Sequence, residues 1–236
     1  MAFFLEAKQQ RQPFLRAPAS VIGLIAVLVA THLARIFSPA ALSERILNDY
    51  ALDPVRYSVQ SGLSLADRIF PLFGHMFLHA NTMHIAINCV WLLAFGPVVA
   101  RRFGGVVFVV FFLLCGLAGA ASYVVLNWGA DVGVIGASGA ISGLMGAAIR
   151  MMHVRQPYLN LATLPLMPIF SSQVLGFSGV WLVINLLTGI FGFGLTGQIE
   201  AVAWEDHMGG YLAGLLLAGI FERFVGLAAA RSRRSA

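Results

Sequence analysis

Lysine is almost missing from this chain: Lys8 is the only one in 236 residues. Charge of either sign is scarce, at 11% of residues, where a soluble domain carries about 25%. That scarcity excludes an ordinary soluble fold. With 59% hydrophobic residues and a mean hydropathy of +0.84 it defines a multi-span membrane protein. Cysteine is also rare. Cys89 and Cys115 both fall in apolar stretches, which argues against a disulfide framework, and no Cys/His cluster has zinc spacing. No metal and no cofactor is expected. The net charge of +5 comes from arginines scattered at the ends of apolar runs. That pattern fits membrane orientation and contact with anionic lipids, not nucleic-acid binding. There is no internal repeat to suggest a transporter fold.

What is present is a series of apolar runs. Hydropathy predicts six membrane helices, at about 19–37, 81–100, 103–127, 138–152, 174–194 and 207–225. The first is read as a retained span, because no small-residue cleavage site follows it. Arginines alternate between the connections. Lys8, Arg11 and Arg16 precede the first span; Arg101 and Arg102 follow the second; Arg150 and Arg155 close the fourth; Arg231, Arg233 and Arg234 end the chain. The connections 127–135 and 195–206 have neither lysine nor arginine. The positive-inside rule then places both termini in the cytoplasm. The expected division is a tail at 1–18, a six-helix membrane domain at 19–226 and a basic tail at 227–236. The first loop, about 38–80, is too long for a plain connector. It is expected to hold an amphipathic helix at Ser43–Leu52 and an apolar stretch lying in the interface.

Four polar residues fall at related depths. Ser138 precedes Arg150 by 12 residues, roughly 18 Å of helix at about 1.5 Å per residue. In a core about 30 Å thick it then lies about 12 Å below the outer surface. The same counting puts Asn88 at about 10 Å, His207 at about 6 Å and His84 at about 4 Å. All four sit near the N-terminal ends of the second, fourth and sixth spans. A helix starting at Ser138 is too short to cross the whole core. The loop before it must dip inward, which is allowed only where backbone is buried in protein or lines a wet cavity.

Alone, each residue has a plain reading. Ser138 could be a helix-packing residue, His207 an interfacial histidine, and Asn88 one end of an interhelical hydrogen bond. Together they make a chemical set. A serine hydroxyl needs a base to become a nucleophile, and histidine is the usual one. The oxyanion of acyl transfer needs preorganised donors. Ser138 stands at a helix start, with free N–H groups and the positive end of the helix dipole. His84 and Asn88, four apart, share a helix face. Gly139 and Gly143 on the fourth span, and Gly210, Gly214 and Ala218 on the sixth, are small faces that allow close packing. His75, His79 and His84 straddle a loop-to-helix change at Asn81, a candidate N-cap, and no carboxylate joins them as a metal ligand set.

His79-x4-His84-x3-Asn88, Gly136-x-Ser138-Gly139 and His207-x2-Gly210-x3-Gly214 together resemble the rhomboid family of intramembrane serine proteases. The strings at His75–Ala80 and at 203–210 resemble it too, so the likeness covers about 75 to 220. It implies an all-α polytopic membrane protein, a rhomboid-like bundle of six transmembrane helices with a Ser–His dyad. It implies Ser138 as nucleophile, His207 as general base, and an oxyanion hole of the Ser138 N–H with the His84 and Asn88 side chains. His79 would hold the first loop, and the fifth span, with Phe177 and Trp181, would gate lateral access. Substrates would be single-pass transmembrane proteins cut near the outer end of their helix.

The chain departs from that family in three places. Ser142 stands where an aromatic residue often stacks on the base, which leaves open what orients the His207 ring. The Trp-Arg pair common in the first loop of some members is absent. Asp206 replaces the alanine often found before the histidine. On a helix it points about 100° away from His207, so it is not read as a third triad member. The expected function is serine endopeptidase activity within the membrane, in a bacterial plasma membrane, with the site open to the outer side. The alternatives are an inactive rhomboid-like client-binding protein and a small transporter.

Overall fold

The computed structural model describes residues 17–58, 62–152, 164–191 and 203–234. Their regular structure is helical: α1 Ala19–Ile36, α2 Ala40–Tyr50, α3 Leu65–Gly74, α4 Thr82–Phe103, α5 Gly105–Leu126, α6 Ser138–Met151, α7 Ser172–Phe191 and α8 Trp204–Arg234. Short 3₁₀ turns lie at Pro54–Tyr57 and His75–Phe77. Helices α1, α4, α5 and α7 and the Trp204–Gly226 part of α8 are long and apolar enough to cross a membrane. The sixth expected span, α6, has only 14 residues. It is the buried centre of the bundle: every residue of α6 except Ser138 and Arg150 is buried. Helices α4, α5 and α8 surround it.

Glycine sets how closely α6 and α8 approach. The Gly139 carbonyl lies against the Cα of Gly210, the Gly143 carbonyl against Gly214, and the Tyr211 carbonyl against Gly146. A Cβ at any of these three glycines would strike backbone, so each needs the missing side chain. Ala218 continues the α8 face and is fully buried. Small residues permit this kind of backbone-to-backbone packing between membrane helices.

The first loop is more helical than expected. Helix α2 begins at Ala40, ahead of the expected Ser43. The apolar stretch after it forms α3, started by a capping box in which Ser64 and Asp67 satisfy each other's backbone N–H groups. Two links tie this loop to the segment before α6: a backbone pair between Leu52 and Val134, and the Gly136 N–H donating to the His75 carbonyl at 2.9 Å. A third ties it to α1, where the buried Arg35 guanidinium donates to the His79 carbonyl at 2.7 Å and the Ala80 carbonyl at 3.3 Å. At the other end of the bundle Arg102 pairs with Glu222 and donates to the Leu164 carbonyl, while Arg150 reaches the Leu215 and Met167 carbonyls.

The helix bounds otherwise follow the sequence reading within about three residues, except that α8 runs on to Arg234. The basic N-terminal segment with Lys8, Arg11 and Arg16, the Arg155 and Pro157 stretch and the 195–202 connection lie outside the described residues.

Candidate active site

The site is built where the N-terminal turns of α4, α6 and α8 meet. Helix α4 starts at an N-cap, Asn81, whose side chain accepts the His84 N–H at 2.9 Å. This fixes the first turn and sets His84 one turn inside the bundle's end. Gly136 lies between His84 and Ser138. A Cβ built there would lie 2.8 Å from His84 Nε2 and 3.5 Å from Ser138 Oγ. The two polar groups therefore flank one small space that glycine keeps open. Gly136 also has φ +136°, a conformation side chains rarely adopt. Position and conformation make the same demand.

Ser138 is the first residue of α6, and no side chain of its own segment caps that helix. Its first turn meets a neighbour instead: the Asp206 carboxyl of α8 lies against Gly139. Asp206 is buried between Gly139 of α6 and Gly119 of α5. Next to it, His207 is within electrostatic reach of His84. The Nδ1 of His207 lies 2.8 Å from Asn185 Oδ1 on α7. Ser138, His84 and His207 are each partly exposed, whereas Asn88 is buried, its Nδ2 donating to the His84 carbonyl at 2.9 Å.

The structure thus brings Ser138 and His84 together around Gly136 and sets His207 in the first turn of the helix packed on α6. Asn88 lies one turn deeper on α4. Asp206 faces α5 and α6, in keeping with the helical geometry that kept it from a triad role. Asn185 was not singled out from the sequence. Its signal was there: an amide inside an otherwise apolar span is expensive and seeks a polar partner. His79 lies under the site, its ring between those of His32 and His84 with centroids 6.5 Å and 5.1 Å away. Burial, aided by the charges of neighbouring His84, His32 and Arg35, pushes its pKa down to about 3. Burial also pushes His75 down to about 4. Both are neutral imidazoles in the folded chain. Among the described residues no group of three or more His, Cys, Asp or Glu side chains could hold a metal ion.

Fold and site together define an all-helical, multi-pass membrane protein with a polar cluster at one end of its bundle. The family model of the Rhomboid domain matches residues 66–224, well over half of the chain. The chain belongs to the rhomboid family, whose members are in general intramembrane serine proteases acting on transmembrane proteins. No curated protein matches the chain.

Proposed function

We propose that this rhomboid-family protein is an active serine endopeptidase that cuts peptide bonds in or near the transmembrane helices of other membrane proteins. One observation carries the reading. The Ser138 hydroxyl and the His84 ring flank Gly136 at the start of α6, beside the turn of α8 that bears His207.

In this reading His207 takes the hydroxyl proton as Ser138 Oγ attacks the substrate carbonyl. The carbonyl oxygen becomes an oxyanion. The Ser138 N–H, at the positive end of α6, and the His84 and Asn88 side chains stabilise it. Protonated His207 then gives its proton to the departing amine and later activates the water that releases the acyl group. Residues 19–226 form the catalytic domain between tails at 1–18 and 227–236. Helix α6 counts as a sixth span that falls short of the full core, both termini face the cytoplasm, and the site opens to the outer side of a bacterial plasma membrane. Water reaches Ser138 from outside. A single-pass substrate arrives sideways past α7, the least buried of the five long helices.

The test is cleavage of single-pass reporter proteins in proteoliposomes by the wild-type chain, Ser138→Ala and His207→Ala. Cutting by the wild type alone supports the endopeptidase. Reporter binding without cutting would favour an inactive client-binding protein.

A further inference from the structure

We propose that Asn185 is the positioning residue of the base: it fixes the tautomer and plane of the His207 ring, the task left open by Ser142. The inference rests on the endopeptidase reading and names a part of that site. Asn185 is buried, and each end of its amide has a partner. Its Nδ2 is 3.1 Å from the Trp204 carbonyl, which can only accept, so the nitrogen end must point there. The Oδ1 end is thereby turned to His207 Nδ1, at 2.8 Å. An amide oxygen can only accept, so Nδ1 carries the ring proton. In neutral imidazole the other nitrogen, Nε2, then holds the lone pair that can take a proton. One carbonyl of α8 thus sets the amide, and the amide sets the base.

The surroundings hold this geometry. Trp204 and His207 are three apart on α8, so one side chain from α7 bridges both on the same helix face. One turn earlier on α7, Trp181 stacks on Tyr211 of α8 at 4.1 Å and 12°, and a further turn back Ser178 Oγ lies 2.7 Å from the Tyr211 hydroxyl. Asn185 and Trp181 meet His207 and Tyr211 in matched, antiparallel register. Ser142, on the α6 side, is buried and too small to stack on an imidazole. The orientation supplied elsewhere by a ring face is here supplied by a hydrogen bond from a different helix.

The experiment compares wild type, Asn185→Leu, which keeps the volume without an acceptor, and Asn185→Asp, which keeps the acceptor. Each is assayed for reporter cleavage, and its His207 is read by ¹⁵N NMR with histidine labelling, His207→Gln identifying the signal. Asn185→Leu should lose roughly 100-fold in kcat with little change in KM, because a misdirected base costs rate and not binding. Asn185→Asp, which keeps an acceptor for Nδ1 but loses the donor to the Trp204 carbonyl, should recover part of that loss. The His207 signal should be that of the Nδ1–H tautomer in wild type and a mixture in Asn185→Leu. Trp181→Ala, which loosens the same helix pair without touching His207, should keep the wild-type tautomer. A wild-type kcat in Asn185→Leu, or a wild-type tautomer in that variant, overturns the proposal. If the wild type itself cuts nothing, the endopeptidase reading falls, and the tautomer result alone decides the role of Asn185.

Discussion

The carboxyl group of Asp206, on α8, lies against Gly139 in the first turn of the helix that begins with Ser138. An acid directly before the candidate base thus serves helix α6, while the base finds its partner on α7. Asp206→Asn keeps an acceptor of the same size, so we expect it to retain most of the cleavage activity. Asp206→Val removes the polar group beside the N-terminal turn of α6 and should lower unfolding stability by up to about 2 kcal/mol, the range for an acidic group at a helix N-terminus. A loss in Asp206→Asn on the scale of removing a triad acid would refute this assignment.

The α6–α8 contact should be intolerant of single methyl groups. At Gly210 and Gly214 an added Cβ meets the carbonyls of Gly139 and Gly143, and backbone has little freedom to move aside. Gly210→Ala and Gly214→Ala should each cost at least about 1–3 kcal/mol, the usual cost of overpacking. Each should reduce cleavage by more than tenfold by separating the two turns that bear Ser138 and His207. Gly219→Ala is the control on the same helix, since its Cβ would lie 3.7 Å from the Arg150 guanidinium, an ordinary contact. It should leave melting temperature and activity near wild type. Equal effects at Gly210 and Gly219 would contradict the packing argument.

Arg102 and Glu222 join the ends of α4 and α8 far from the site. Arg102 is nearly buried and also holds the Leu164 carbonyl, while Glu222 is over one-third exposed. Removing the arginine strands more partners than neutralising the acid. Arg102→Met should destabilise by about 1–3 kcal/mol, and Glu222→Gln by less, because the amide still accepts. Ser138 chemistry should survive in both wherever the fold persists. Thermal unfolding in detergent measures the order of the two effects.

Acid should weaken the fold through His75 and His79. Their folded pKa values, about 4 and about 3, lie below the ordinary 6.5. Below pH 6.5 the unfolded chain takes up protons that the folded chain refuses, so its stability rises with pH in that range. The contribution is complete above about pH 6.5 and drains away as pH falls toward 4 and then 3. Melting temperature should drop between about pH 7.5 and about pH 5, and His79→Leu should flatten that slope. A melting temperature unchanged over this interval would show that these rings are not held neutral.

Much of this architecture was legible in the sequence because membrane helices announce themselves by length. The long spans were placed within a few residues by apolar runs closed with arginine. Asn81 as an N-cap and the Gly139, Gly143, Gly210 and Gly214 faces were read from position and residue size. The short reach of α6 followed from counting residues to Arg150, and its burial agrees. Helix α3 was missed although Ser64 and Asp67 form a readable capping box, because the apolar residues after them suggested interfacial loop. The Asn185–His207 bond was out of reach for a different reason. Depth counting ranks residues along the membrane normal but says nothing of which neighbouring helix turns toward which. The partner of Asp206 was hidden likewise: a helical wheel shows where a side chain points, not what lies there.

The central claim is that Ser138 is an activated nucleophile with His207 as its base. Reaction of the purified wild-type chain with a fluorophosphonate probe, followed by peptide mapping, tests it without knowledge of the substrate. We expect one modified residue, Ser138, with labelling lost in Ser138→Ala and strongly reduced in His207→Ala. Absence of labelling in the folded wild-type chain, or labelling unaffected by His207→Ala, would contradict the account.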